Sequence, residues 1–109
     1  MSASEPDAAP ADIFAALGDE TRLRLVERLG AGGPLSIAQL TAGTDVTRQG
    51  ITKHLEVLAD AGILRSTRRG RERLWQLEPR PLEDARQFLA RLSTEWDESL
   101  SRLKASIED

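Results

Sequence analysis

The feature that most constrains this chain is a change of rhythm at Gly62. Before it, TRQGITKHLEVLADA places Ile51, Leu55 and Leu58 at i, i+4 and i+7, so residues 47–61 predict a helix with an apolar side and a hydrogen-bonding side. After it, ILRSTRRGRERLWQLEP alternates around Gly70, which predicts a hairpin with Ile63 to Thr67 on one arm and Glu72 to Leu77 on the other. Thr47 can cap the helix at its start and Gly62 can end it in a left-handed conformation.

Three shorter segments precede this pair. Ile13, Phe14 and Leu17 give a first helix ending at Gly18, and Asp19 caps a second, ETRLRLVERLG, with Leu23, Val26 and Leu29 on one side and Gly30 at its end. Ser36 caps a third, SIAQL, with Ile37 and Leu40 inward, and the bend TAGTD leads into residues 47–61. Beyond Pro79 and Pro81, a final helix over about 81–108 repeats Leu89, Leu92, Trp96, Leu100, Leu103 and Ile107 at spacings of three or four. Residues 1–10, MSASEPDAAP, are too polar and too rich in Pro and Ala to join a core, which leaves 11–109 as one domain.

A body of this size buries only about 60 to 70% of the surface its unfolded chain exposes, so a long apolar helix face gains from a second copy of the chain. The absence of cysteine excludes disulfides, cysteine nucleophiles and thiolate metal sites. Neither a signal peptide nor an apolar run of membrane-spanning length is present, so the expectation is a cytoplasmic protein without a membrane partner. Acidic pairs such as Asp19/Glu20 and Glu83/Asp84 stand at helix starts, where capping explains them, and no nucleophile or phosphate loop accompanies them; an enzyme is not expected.

The net charge of −3 conceals a division. Residues 1–46 carry three Arg/Lys against seven Asp/Glu, residues 47–73 carry seven against three, and residues 74–109 carry five against eight. Cationic charge is therefore concentrated on the amphipathic helix and the hairpin, and local charge decides polyanion binding because fields decay within about 10 Å at 0.1 M salt.

Helix, tight bend, helix and basic hairpin form the order of a winged helix-turn-helix, in which the second helix enters the DNA major groove. The fold class read from the sequence is thus mainly α with a small β-hairpin. Packing Ile51, Leu55 and Leu58 inward leaves Arg48, Gln49, Thr52 and Lys53 for base edges and phosphates, since Arg suits guanine O6/N7 and Gln suits adenine N6/N7. Arg68, Arg69, Arg71 and Arg73 surround the glycine of the hairpin and suit phosphates or a minor groove.

The ordered series ALGDETRLRLVERL, LSIAQL, VTRQGITKHLEVLADAGIL and RRGRERLWQLEP resembles the ArsR/SmtB family of dimeric winged-helix transcriptional repressors over roughly residues 11–79. The terminal WDESLSRLKA resembles a metal-independent branch of that family. The resemblance implies a recognition helix (47–61) bearing Thr47, Arg48, Gln49, Thr52, Lys53 and His54, and a wing (63–78) bearing Arg68, Arg69 and Arg71; Ser36, heading the third helix, is grouped with the DNA-contacting residues. It also implies a homodimer through the first and last helices, with Ile13, Leu17, Leu89, Leu92, Trp96, Leu100 and Leu103 at the interface. Gly50 departs from the small non-glycine residue expected there.

Metal-sensing relatives carry Cys in the segment matching LSIAQL, or Asp and His along the terminal helix; this chain's one histidine, His54, lies elsewhere, so neither metal nor cofactor is expected. The residues name no small-molecule effector. The predicted function is a homodimeric repressor on an inverted-repeat operator in double-stranded DNA. The alternative is a winged-helix module for protein contact, against which stands the lack of an aromatic anchor between Thr47 and Arg73.

Overall fold

The computed structural model describes residues 9–108. Its elements run α1 (Pro10–Leu17), α2 (Glu20–Gly32), β1 (Leu35–Ser36), α3 (Ile37–Thr41), α4 (Arg48–Asp60), β2 (Leu64–Arg69), β3 (Glu72–Leu77) and α5 (Pro79–Glu108). The tail read over 1–10 falls outside the described residues except for Ala9 and Pro10, and Pro10 opens α1, where its missing N–H costs no hydrogen bond.

The caps legible in the sequence form. Asp19 accepts from the Arg22 backbone N–H at 3.0 Å, Thr47 accepts from the Gly50 N–H at 3.0 Å, and Gly62 adopts φ 82° past the end of α4. Ile51, Leu55 and Leu58 are fully buried as the inner stripe of α4, each contributing about 1.5 to 3 kcal/mol by leaving water. The inner stripe of α2 differs from the expected one: Leu25 and Leu29 are buried and Leu23 is exposed. Two residues along a helix turn it by about 200°, so Leu23 and Leu25 cannot share a face, and the phase follows Leu25 and Leu29.

A third strand was not read from the sequence. β1 pairs antiparallel with β3, Leu35 opposite Trp75 and Ser36 opposite Leu74, giving a sheet ordered β1-β3-β2. Two residues carry too little alternation to betray a strand. α2 also runs to Gly32, two residues past the expected stop, and Gly33 takes φ 74° after it.

α5 begins at Pro79 and is 30 residues long, about 45 Å at 1.5 Å per residue. Its first turns join the core through Ala85, and Phe88 meets Phe14 of α1 with ring centroids 6.0 Å apart. From Ser93 to Glu108 every residue is exposed.

Candidate nucleic-acid interface

Helix α4 is held from behind. Ser36 caps α3 reciprocally with Gln39: its Oγ accepts from the Gln39 N–H at 3.2 Å while Gln39 Oε1 accepts from the Ser36 N–H at 2.9 Å. Arg28 reaches from α2 and donates to the carbonyls of Leu40 and Gln39, both at 2.8 Å, so the open C-terminal end of this short helix is satisfied. Thr44 then donates to the Thr41 carbonyl at 2.9 Å within the bend. Together α3, the bend and α4 form the helix-turn-helix unit.

On α4, Arg48, Gln49 and Lys53 are exposed, and among the described residues none of their side chains makes a hydrogen bond or an ion pair. Thr47 is exposed at the cap, and Thr52 donates to the Arg48 carbonyl at 2.9 Å, leaving its oxygen able to accept. The missing side chain of Gly50 would point into the bend: a Cβ there would lie 2.9 Å from Val46 Cγ1 and 3.2 Å from Thr47 Oγ1. Gly50 therefore makes room for the bend behind the helix.

The hairpin closes through a two-residue turn, Gly70-Arg71, with Arg69 opposite Glu72. Gly70 has φ 64° and Arg71 does not have positive φ, the pattern of a type II′ turn with glycine first. Arg68 faces Arg73 across the strands, a like-charge pair that disfavours the empty hairpin and would be relieved by an anion. Arg73 also lies over the Trp75 ring, 5.7 Å from its centroid, while Arg65 at the base is held by Glu78 at 3.0 Å. Arg68, Arg69 and Arg71 remain exposed at the outer end.

Two residues grouped with this surface stand elsewhere. Ser36 is 6% exposed and its Oγ accepts the capping bond of α3, which sets it apart from the exposed side chains of α4 and the wing. His54 turns toward α2, its Nδ1 3.1 Å from an Arg22 guanidinium nitrogen. Asp19, beside it, has its carboxyl held below the usual carboxylate value, chiefly by the Arg22 backbone N–H, with burial opposing that effect and the Arg22 charge adding to it.

The expected dimer surface divides likewise. Ile13 is fully buried within the core of its own chain and is withdrawn; Leu17 and Leu92 are half-buried; Leu89, Trp96, Leu100 and Leu103 are exposed. Leu89, Leu92, Trp96 and Leu100 line one shallow groove along α5. Sequence reading missed Arg28, whose role depends on two helices meeting, and the full Ser36/Gln39 box, which the spacing S-x-x-Q does signal. Among the described residues no group of three or more His, Cys, Asp or Glu is placed to hold a metal ion, and no helix is long and apolar enough to cross a membrane.

Comparison with known proteins agrees with this geometry. Residues 17–67 match a helix-turn-helix domain family. A transcriptional regulator of the helix-turn-helix type from Bacillus subtilis, YuzN, is 38% identical over 78 residues, spanning 66% of this chain and 85% of its own. Another regulator of that type from Mycobacterium tuberculosis is 38% identical over 85 residues, spanning 78% of both chains. The structure of an ArsR-like transcriptional regulator from Rhodococcus superposes with a TM-score of 0.74 at 36% identity, over 87% of this chain and 89% of the other. These relatives are regulators of transcription and not enzymes. With its helix-turn-helix unit, basic wing and long last helix, the chain belongs to the ArsR family of winged helix-turn-helix transcriptional regulators.

Proposed function

We propose that the protein is a homodimeric repressor that occupies an inverted-repeat operator, with α4 in the major groove and the wing on the flanking backbone. One observation carries the reading: Arg48, Gln49 and Lys53 project together from the exposed side of α4 with no partner in the described chain. Long polar side chains held on a buried helix stripe and left unpaired suit base edges and phosphates. Arg48 and Gln49 read bases, Thr47, Thr52 and Lys53 seat the helix on the backbone, and Arg68, Arg69 and Arg71 neutralise phosphates beside it.

The apolar groove along α5 supports the dimer. A second copy laid on Leu89, Trp96, Leu100 and Leu103 would remove from water side chains that one chain leaves half or more exposed or nearly so. Two recognition helices related by a two-fold axis would then meet half-sites about 34 Å apart, one turn of DNA. Neither cofactor nor metal takes part in this scheme. Lacking cysteine, the chain offers no thiolate to a soft metal.

The test is titration of operator and random DNA with Arg48→Ala and Gln49→Ala. Each should weaken operator binding by about 1 to 3 kcal/mol and random-DNA binding much less. Equal losses on both DNAs would leave these side chains with phosphate contacts alone.

A further inference from the structure

Two segments of this sequence, DETR at 19–22 and KHL at 53–55, are far apart in the chain and meet in the fold at one guanidinium. Arg22 spans three elements. Its backbone N–H is accepted by Asp19 at the head of α2, its Nε donates to the Ala16 carbonyl in the last turn of α1, and its Nη1 lies 3.1 Å from His54 Nδ1 in the middle of α4. A guanidinium has donors only, so Nδ1 accepts and the ring proton sits on Nε2. Asp19 Oδ2 is 3.8 Å from the same Nδ1, too far for a hydrogen bond. The His54 side chain is 26% exposed, so this charge-assisted bond is partly shielded from water.

The position of His54 on α4 separates it from the reading face. Successive residues turn a helix by about 100°, which puts Thr52 about 200° from His54 and groups Arg48, Gln49, Thr52 and Lys53 on the opposite flank. The apolar stripe fixes how deeply α4 sits, since Ile51, Leu55 and Leu58 are fully buried. Apolar contact is not directional, however, and leaves rotation about the helix axis softly held. A hydrogen bond from one flank to a neighbouring corner restrains that rotation.

We propose that His54 is a positioning residue: through Arg22 it ties the recognition helix to the α1–α2 corner and sets the angle at which Arg48 and Gln49 meet DNA. This rests on α4 being the reading helix and assigns His54 a role behind it instead of at the DNA. Loss of the bond would leave the stripe packed and the chain folded while the reading side chains lose their alignment. Operator affinity should therefore fall more than stability does.

The experiment is a double-mutant cycle on operator affinity, with thermal unfolding of each variant beside it. His54→Phe should lose about tenfold, Arg22→Met at least as much because it also frees the Ala16 carbonyl, and the double variant no more than Arg22→Met alone, because the bond to His54 is then already gone. The salt dependence should stay as in the parent. A double variant about tenfold weaker than Arg22→Met alone, or a shallower salt dependence for His54→Phe, would overturn the proposal by making His54 an independent DNA contact.

A second pair keeps the test decisive if the phenylalanine variant does not fold. The amide oxygen of His54→Asn can reach the place of Nδ1, whereas His54→Gln extends its amide toward the place of Nε2. Recovery of near-parent affinity by Asn and not by Gln supports the tether; recovery by Gln and not by Asn, or by neither, refutes it. Arg48→Ala serves as the separate control. Undiminished operator affinity in that variant would remove α4 from the DNA, a failure of the underlying reading that the cycle alone would not reveal.

Discussion

Trp96→Ala offers the sharpest test of the dimer because the side chain does so little within one chain. Trp96 is 64% exposed, so on a side chain that can bury up to about 250 Å² some 160 Å² remain for a partner to cover. At about 25 cal/mol per Å² this amounts to about 4 kcal/mol per copy, and about 3 kcal/mol relative to alanine. Association does not return such areas in full, because side chains are ordered and polar neighbours such as Ser93 and Asp97 are desolvated with them. Halving the figure for two copies leaves about 3 kcal/mol per dimer, or roughly a hundredfold in its dissociation constant. The folding stability of the monomer should change by less than about 0.5 kcal/mol. Sedimentation equilibrium over a dilution series reads the first quantity, and denaturant unfolding at concentrations below the dimer constant reads the second. An unchanged dissociation constant would place the seam elsewhere, whatever the merits of the reading helix.

Other substitutions test other parts of the molecule. Arg69→Ala or Arg71→Ala should weaken operator and random DNA alike and lower the salt slope by about one unit per lost phosphate contact, or two in a dimer; an unchanged slope takes the wing off the backbone. Arg28→Met removes both donors at the end of α3 and should cost about 2 kcal/mol in urea unfolding, and a change below about 0.3 kcal/mol would show those carbonyls satisfied by water. Asp19 has a depressed folded-state pKa, so its contribution is complete above the ordinary aspartate value and is lost as pH falls through the depressed one. Asp19→Asn should accordingly flatten the acid side of the stability profile below about pH 4, and a parallel profile would assign the acid sensitivity to other carboxylates.

The parts of the fold that were legible are those with a repeated local signal. The apolar period of α4, its threonine cap and its terminal glycine each act within a few residues, and all three stand as read. The hairpin was equally local, its turn fixed by Gly70. What escaped depends on distant partners. Two residues of β1 become a strand only because β3 lies beside them, and Leu23 loses its inward place to Leu25 only once α2 has something to pack against. For the candidate site, composition picked out the exposed cations of α4 and the wing. Composition does not tell an outward polar side chain from one held within the fold, as Ser36 is by the cap of α3 and His54 by Arg22.

The short strand β1 bears on how the protein and its operator adapt to each other. Ser36 pairs with Leu74 of the wing and, in the same residue, caps α3, so the helix-turn-helix unit and the hairpin share one joint. A tilt of the wing must carry α3 with it, and Arg28 carries the motion on to α2. In the proposed complex α4 and the wing would thus act as the jaws of a caliper whose gap is restrained by this joint. If the distance between groove and flanking backbone in a given sequence does not match that gap, the duplex must bend or change its groove width to fit. Selectivity would then extend to base pairs the protein never touches, with pliable steps between the contacted positions tolerated and stiff A-tracts there penalised.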